Sequence, residues 1–356
     1  MNITMSLLVV ILGLFLVIGV HEAGHAIAAS FFKVKIKTIS IGFGKALIKW
    51  QSKGGCQWQW ALWPLGGYVK LLNTRIEPVS SDLHKFAFDK KPVWVRCIIL
   101  LSGAMANIML AWLALLFMHV VGYQQITPII GSIKAPSIAS AAGFIKRDQF
   151  ISVGGVKVAS WREVGMQLIM AVGQDNVLVV VKNGLNVNRN LSLDLKNLHL
   201  ENRKDSLLLK FGIKPALAKE SSVKVLGLPI DKAAKKAFLE ILNLVIFFLV
   251  IIKNIITGII PFGLLLGPLG IFNEIVASFK QGVAVFLYFI ANFSISVALI
   301  NLFPIPSLDG GSIVLALIEK IRRRPVSIAM EILLNQLILI VFSLLLVQLI
   351  LNDLHR

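Results

Sequence analysis

Residues 17–32 read VIGVHEAGHAIAASFF. Two histidines and a glutamate (His21, Glu22 and His25) sit in one of the most apolar stretches of the chain, with no charged neighbour to match them. Inserting a single acid or base into hydrocarbon costs roughly 2.5–3.5 kcal/mol even on the gentler insertion scales. Something must compensate these groups, and the rest of the chain has to supply it.

The 356 residues are 56% hydrophobic and 15% charged, with a mean hydropathy of +0.80. A soluble domain carries about a quarter charged residues, so the composition predicts an integral membrane protein. Apolar runs approaching or exceeding the span length of about 20 residues start at Met5 and cover Cys97–Val121, Val283–Phe303 and Leu333–Leu351. A fifth run, Phe238–Ile260, is interrupted by Glu240 and Lys253. Its polar positions Glu240, Asn243, Lys253, Asn254 and Thr257 recur at helical spacing, which predicts an interfacial or re-entrant helix. Four transmembrane helices remain.

The formal net charge is +18, yet the placement of the bases speaks for a membrane and against nucleic acid. Residues 33–96 hold twelve Lys/Arg against three acids, and 320–324 reads KIRRR. By the positive-inside rule both links are cytoplasmic and both termini lie outside. A crossing by Phe238–Ile260 would put KIRRR outside, against that rule. Cys56 and Cys97 both fall on the cytoplasmic side, where a structural disulfide is not expected. The first apolar run also resembles a signal-peptide core, but cleavage after Ala28 would discard the residues that cost most to insert, so the reading retains it as a span.

The chain divides into a first transmembrane helix (1–32), a glycine- and tryptophan-rich link of short strands (33–96), a second transmembrane helix (97–121), a polar domain (122–218), an interfacial or re-entrant segment (219–280), a third transmembrane helix with its following turn (281–318) and a fourth (330–352). Trp50, Trp58, Trp60 and Trp63 suit a headgroup position. In the polar domain TPIIGSI, FISVGGVKV, NVLVVVKN, RNLSLDL and LLLKFGI read as strands, with a helix over Trp161–Val172.

His21 and His25 are four apart, so on a helix they project from one face, one turn apart. Two imidazoles at that spacing can bind one ion while Glu22 takes a proton from water, the H-E-x-x-H arrangement of zinc hydrolases. The bland alternative is a structural polar cluster. A catalytic zinc site uses three protein ligands, so a third is required at the depth of His21. Asp309, in NLFPIPSLDGGSIV after the third span, meets that specification, against the alternative of a helix N-cap. Glu274, His84 and Glu319 lack a comparable broken-helix setting.

HEAGH in a first span, GFGK and PLGGYVK after it, an outer domain and then NLFPIPSLDGG together resemble the site-2 protease family, most of all its bacterial branch. The resemblance implies an intramembrane zinc metalloprotease acting on single-span membrane proteins, such as anti-sigma factors or signal-peptide remnants, with the lipid bilayer as its other partner. His21, His25 and Asp309 would then be the zinc ligands and Glu22 the catalytic base. Asn301, Pro304 and Pro306 match the family's substrate-contacting stretch. SIGFGKALIKW, with Gly42, Phe43 and Gly44, resembles its membrane-dipping β-loop. SIASAAGFIKRDQFISVGGVKV is similar to a PDZ core, with room for one such domain where relatives carry two. GPLGIFNEI matches the tract before the third span. The family's usual residues differ at Arg147, Ala104 and Ser312.

The fold class that follows is a polytopic α-helical membrane protein with a membrane-dipping β-loop and one extracytoplasmic PDZ-like α+β domain, a monomer of the bacterial inner membrane. An unwound substrate needs backbone partners in lipid, and the strand edge expected to supply them by β-augmentation is Ile39–Trp50, an ordinary cytoplasmic hairpin being the alternative. Two rival functions are a zinc transporter or sensor, and a PDZ scaffold with a structural metal.

Overall fold

The computed structural model describes residues 2–52, 54–196, 198, 207–217 and 221–355. The chain forms two compact units. One comprises Met1–Met118, Ala234–Ile241 and Gly270–Gln348, the other His119–Ala233, Leu242–Leu269 and Leu349–Arg356.

The first unit opens with α1 (Ile3–Phe31). Its apolar residues run all round the helix, and a buried stripe, Val10, Gly13, Val17, His21 and Gly24, follows three- and four-residue spacing. Leu7, Leu8, Leu12 and Leu16 are exposed, a face that suits lipid. Two long strands follow, β1 (Ile36–Gln51) and β2 (Gln57–Leu71). Each folds back on itself. Ile39 has Val69 on one side and Trp58 on the other, Ser40 has Tyr68 and Gln59, and Ile41 has Gly67 and Trp60. The second half of β1 pairs only with β2 residues 57–61. Gly42 and Gly44, at φ 90° and 88°, permit the bend between the halves. Gln59 Nε2 donates to Ser40 Oγ (3.1 Å) and Tyr68 Oη (2.9 Å), tying both arms to the middle.

Trp50 and Trp58 stack with centroids 6.1 Å apart, and Trp50 and Trp60 are exposed. The Trp63 side chain lies outside the described residues. Next comes α2 (Val93–Val121), packed on the end of α1 through Ala29, Val34, Val95 and Ile99.

The second unit contains the polar domain. Its strands are β3 (Tyr123–Ile126) and β4 (Ile130–Ile133), followed by a short helix α3 (Ile138–Ala141). Then come β5 (Gln149–Val153), β6 (Val156–Lys157), α4 (Trp161–Met170), β7 (Val177–Lys182) and β8 (Asn188–Leu193). These strands form a sheet of order β6-β5-β7-β8 over a core that includes Phe150, Leu168, Val179, Val181 and Phe211. LLLKFGI is a correction: it opens as a helical turn, α5 (Leu207–Lys210), and only then enters β9 (Ile213–Pro215), which pairs with β4. Gly212 at φ 83° makes that reversal. β10 (Ser222–Val225) pairs with β3, a pairing not expected from the sequence. Arg147, where a glycine was expected, adopts φ 70°.

The helix α6 (Ile230–Ile256) runs through both units. Then α7 (Pro268–Lys280), most of it in the first unit, leads to α8 (Val283–Asn301), the turn 302–308, α9 (Asp309–Arg322) and α10 (Ile328–Leu354), whose last residues belong to the second unit. Among the described residues, five helices are long and apolar enough to cross a membrane: α1, α2, α6, α8 and α10. That is one more than the four expected, the addition being α6, which contains most of the run expected at the interface. α10 has almost no buried side chain, with Leu337, Leu339, Leu344 and Val347 all exposed, as a lipid-covered helix would.

Candidate metal centre

His21 and His25 face the same way from α1, their rings edge to face with centroids 4.8 Å apart. Their Nε2 atoms are 3.2 Å apart. Asp309 Oδ2 lies 3.2 Å from His21 Nε2 and 3.2 Å from His25 Nε2. Among the described residues these three make the one group of His, Cys, Asp or Glu that could hold a metal ion. Two donors on a tetrahedral ion at bond lengths of about 2.0–2.1 Å lie about 3.3 Å apart, so the three equal edges fit such an ion. An ion held there would have its fourth position open to a non-protein ligand.

The local sequence explains this convergence. Gly24 lets α2 press against α1: a Cβ there would sit 2.5 Å from the Ser102 carbonyl oxygen and 2.8 Å from Ala106 Cβ. Gly103 lies directly beneath the two imidazoles, where a Cβ would strike His25 Nε2. Asp309 opens α9, and Gly310 and Gly311 follow it. Side chains on them would collide with the carbonyl oxygens of Leu302, Phe303 and Ile305, so the turn closes only with glycines there, aided by Ser307 at φ 74°. The N-cap alternative for Asp309 fails: the cap position is Leu308, with no side-chain cap bond, and the carboxylate is turned to the histidines.

His25 Nδ1–H donates to the Ile99 carbonyl at 2.8 Å. Because that partner can only accept, the hydrogen sits on Nδ1 and the lone pair on Nε2, aimed at the centre. Glu22 stays outside the triangle. Its Oε2 accepts from the Val69 N–H at 2.9 Å, which couples the carboxylate to the outer arm of β2. His21, Glu22, His25 and Asp309 all line a cavity of about 510 Å³, together with Phe43, Gly67, Val69 and Asn301.

The expected substrate-facing residues divide. Phe43 and Asn301 line the cavity, and Asn301 Nδ2 donates to Val297 O on its own helix at 3.0 Å, not across to another span. Gly42 and Gly44 flank Phe43 as the bend, while Pro304 and Pro306 lie in the turn before Asp309. Ala46–Gln51 pair on one side alone, so only the first part of the expected Ile39–Trp50 edge needs correction. Ile39–Ile41 are paired on both sides, and the arm whose Val69 N–H turns to the site is β2 residues 67–71. The rival third ligands are elsewhere: Glu319 pairs with Arg96 at 3.2 Å, His84 Nε2 donates to Val79 O at 3.2 Å, and Glu274 is exposed. Sequence reasoning missed Ile99 and Asn107, and met Gly103 only as the glycine beside Ala104 in the second span, not for its contact with the imidazoles. Asn107 is fully buried, and the one signal for it was an amide inside an apolar span.

Peptidase family M50 matches residues 9–346. The chain belongs to this family. It is 29% identical over 409 aligned positions to the regulator of sigma-E protease RseP of Escherichia coli K12, covering 89% of this chain and 91% of that protein. It is similarly related, at 28% with 92% and 93% coverage, to RseP of Salmonella typhimurium. A Vibrio cholerae protein, whose name assigns it provisionally to the zinc metalloproteases, is 26% identical over 89% of this chain and 91% of its own length. The M50 chain is thus a metalloprotease, and its long apolar helices make it a multi-pass membrane protein.

Proposed function

We propose that this M50 chain is a zinc-dependent intramembrane endopeptidase that cleaves transmembrane segments of single-span membrane proteins, anti-sigma factors or signal-peptide remnants among them. The observation that carries the reading is the triangle of three donor atoms 3.2 Å apart with Glu22 beside it. His21, His25 and Asp309 would hold the zinc. Bound there, zinc would act as a Lewis acid, polarising a carbonyl and bringing the pKa of water toward about 7.

The chain's own residues do the rest. Glu22 accepts the proton of the attacking water and delivers it to the amide nitrogen as the C–N bond breaks. The Val69 N–H keeps its carboxylate directed during both transfers. Residues 67–71 of β2 present a strand edge along the cavity, and an unwound substrate strand added there has its backbone groups satisfied in place of water. Gly42, Phe43 and Gly44 shape the wall on the same side. Asn301 releases its helix carbonyl to donate to the developing oxyanion or the substrate backbone, and Pro304 and Pro306 hold the turn open for substrate.

Four helices, α1, α2, α8 and α10, cross the bacterial inner membrane, while α6 lies along it, with Lys232, Lys235 and Lys236 exposed near its start. Both termini and the β-rich, PDZ-like domain are extracytoplasmic, where the domain governs substrate access. The chain acts as a monomer and binds no nucleic acid. Against a transporter, sensor or structural-metal scaffold stands Glu22, a base outside the ligand triangle that such proteins do not need. The test is reconstitution with candidate single-span substrates. Wild-type protein cleaves them, and Glu22→Gln stops cleavage while zinc content persists; normal cleavage by Glu22→Gln refutes the mechanism.

A further inference from the structure

The two histidines are held differently on their far sides. His25 is fixed by the Ile99 carbonyl, which can only accept. His21 Nδ1 faces the side-chain amide of Asn107, with Nδ2 at 3.4 Å. Asn107 is fully buried, and its Oδ1 has no hydrogen-bond partner. Its backbone carbonyl accepts from the buried Ser294 Oγ at 3.0 Å, so the residue is anchored between α2 and α8.

An amide can donate from its nitrogen or accept at its oxygen. When Nδ2 faces His21, Nδ1 must offer a lone pair, the ring hydrogen moves to Nε2, and His21 cannot ligate through that atom. Turning the amide by half a rotation brings Oδ1 to Nδ1, which then keeps the hydrogen and leaves Nε2 bare. We propose that Asn107 is the positioning residue that selects the ligating tautomer of His21, its buried amide turning Oδ1 toward Nδ1–H when zinc binds. It does for His21, reversibly, what Ile99 does permanently for His25. Outer partners of this kind commonly change metal affinity by about 10–100-fold.

This inference rests on His21 being a zinc ligand, and the test separates the two. Zinc affinity is measured by chelator competition on detergent-purified full-length protein for wild type, Asn107→Leu, Asn107→Asp and His21→Ala, with thermal unfolding recorded alongside. Asn107→Leu offers no acceptor and weakens zinc binding about 10–100-fold. Asn107→Asp, which presents only acceptor oxygens, keeps affinity within a few-fold of wild type. In metal-free protein, nitrogen NMR of labelled histidine reports His21 with its hydrogen on Nε2 in wild type and on Nδ1 in Asn107→Asp. A merely structural role lowers unfolding temperature in both variants without splitting their zinc affinities, and that outcome overturns the inference. So does wild-type affinity in Asn107→Leu. If His21→Ala also retains tight zinc, the ligand assignment fails first, and Asn107 falls with it.

Discussion

Replacing Gly103 with alanine tests how tightly the centre is built. A Cβ at this position lies 2.7 Å from His25 Cε1 and 2.8 Å from His21 Cε1, and overlaps His25 Nε2. Carbon atoms pack at about 3.5–4.0 Å, so both rings must retreat by roughly 0.7–1.3 Å. Neither can do so freely. His25 is pinned by the Ile99 carbonyl, and both Nε2 atoms converge on one Asp309 oxygen. Metal sites hold donor distances to about ±0.2 Å, several-fold less than the forced shift. Gly103→Ala is therefore expected to lower zinc affinity by about 100-fold or more, and a misplacement near 1 Å costs on the order of 100-fold in rate. The assay is zinc per chain after dialysis against a graded chelator, paired with substrate cleavage in proteoliposomes. Gly19→Ala is the matched control, because its nearest foreign atoms are Phe15 ring carbons at 3.7–3.9 Å, ordinary contact. Zinc retention and cleavage by Gly103→Ala within a few-fold of wild type would refute the packing argument.

Four further outcomes follow. Gly310→Ala, whose Cβ meets the Leu302 and Phe303 carbonyls, is expected to shift Asp309 and strip zinc from folded protein, read by metal analysis after size-exclusion chromatography. Val69→Pro deletes the N–H that serves Glu22, a bond to a charged group worth about 1.5–3 kcal/mol; kcat should fall about 10–100-fold with zinc unchanged. Ser294→Ala removes the bond to the Asn107 carbonyl and should cost about 1–3 kcal/mol of stability, seen as a lower unfolding temperature. In the link between α1 and α2, burial pushes the Asp89 carboxyl up, but the Thr74 hydroxyl and N–H outweigh it and hold the group below its ordinary value. A depressed folded value means stabilisation that is present above the unfolded value of about 3.9 and lost as pH falls through the folded one. Thr74→Val should therefore shrink the acid-side loss in an unfolding-temperature-against-pH profile, chiefly by lowering stability at neutral pH.

The centre was legible where its cost was local. Ionisable groups in lipid need a compensating partner wherever the chain runs, so His21, Glu22 and His25 announced themselves, and the broken helix around Asp309 pointed to a carboxylate that the fold brings to both imidazoles. Gly103 and Asn107 were not legible, because their importance depends on the register of α2 against α1, a long-range property that neither segment encodes alone. The β-loop was seen as strands, but its doubling back was not. Alternation tells which face a residue takes, whereas the free edge depends on which arm ends beside Glu22. LLLKFGI was misread for a simpler reason: a short apolar run has no period that separates a helical turn from a strand. The span count turns on α6, whose length and hydropathy match a crossing while its polar stripe matches a surface.

The central claim is that one zinc ion joins α1 to the start of α9. Zinc X-ray absorption on purified full-length protein, wild type and Asp309→Ala, addresses it most directly. The account predicts one zinc per chain in wild type, with two imidazole nitrogens and oxygen ligands at about 2.0–2.2 Å, and loss of that zinc in Asp309→Ala. Sulfur ligands, or an unchanged spectrum and stoichiometry without Asp309, would contradict it.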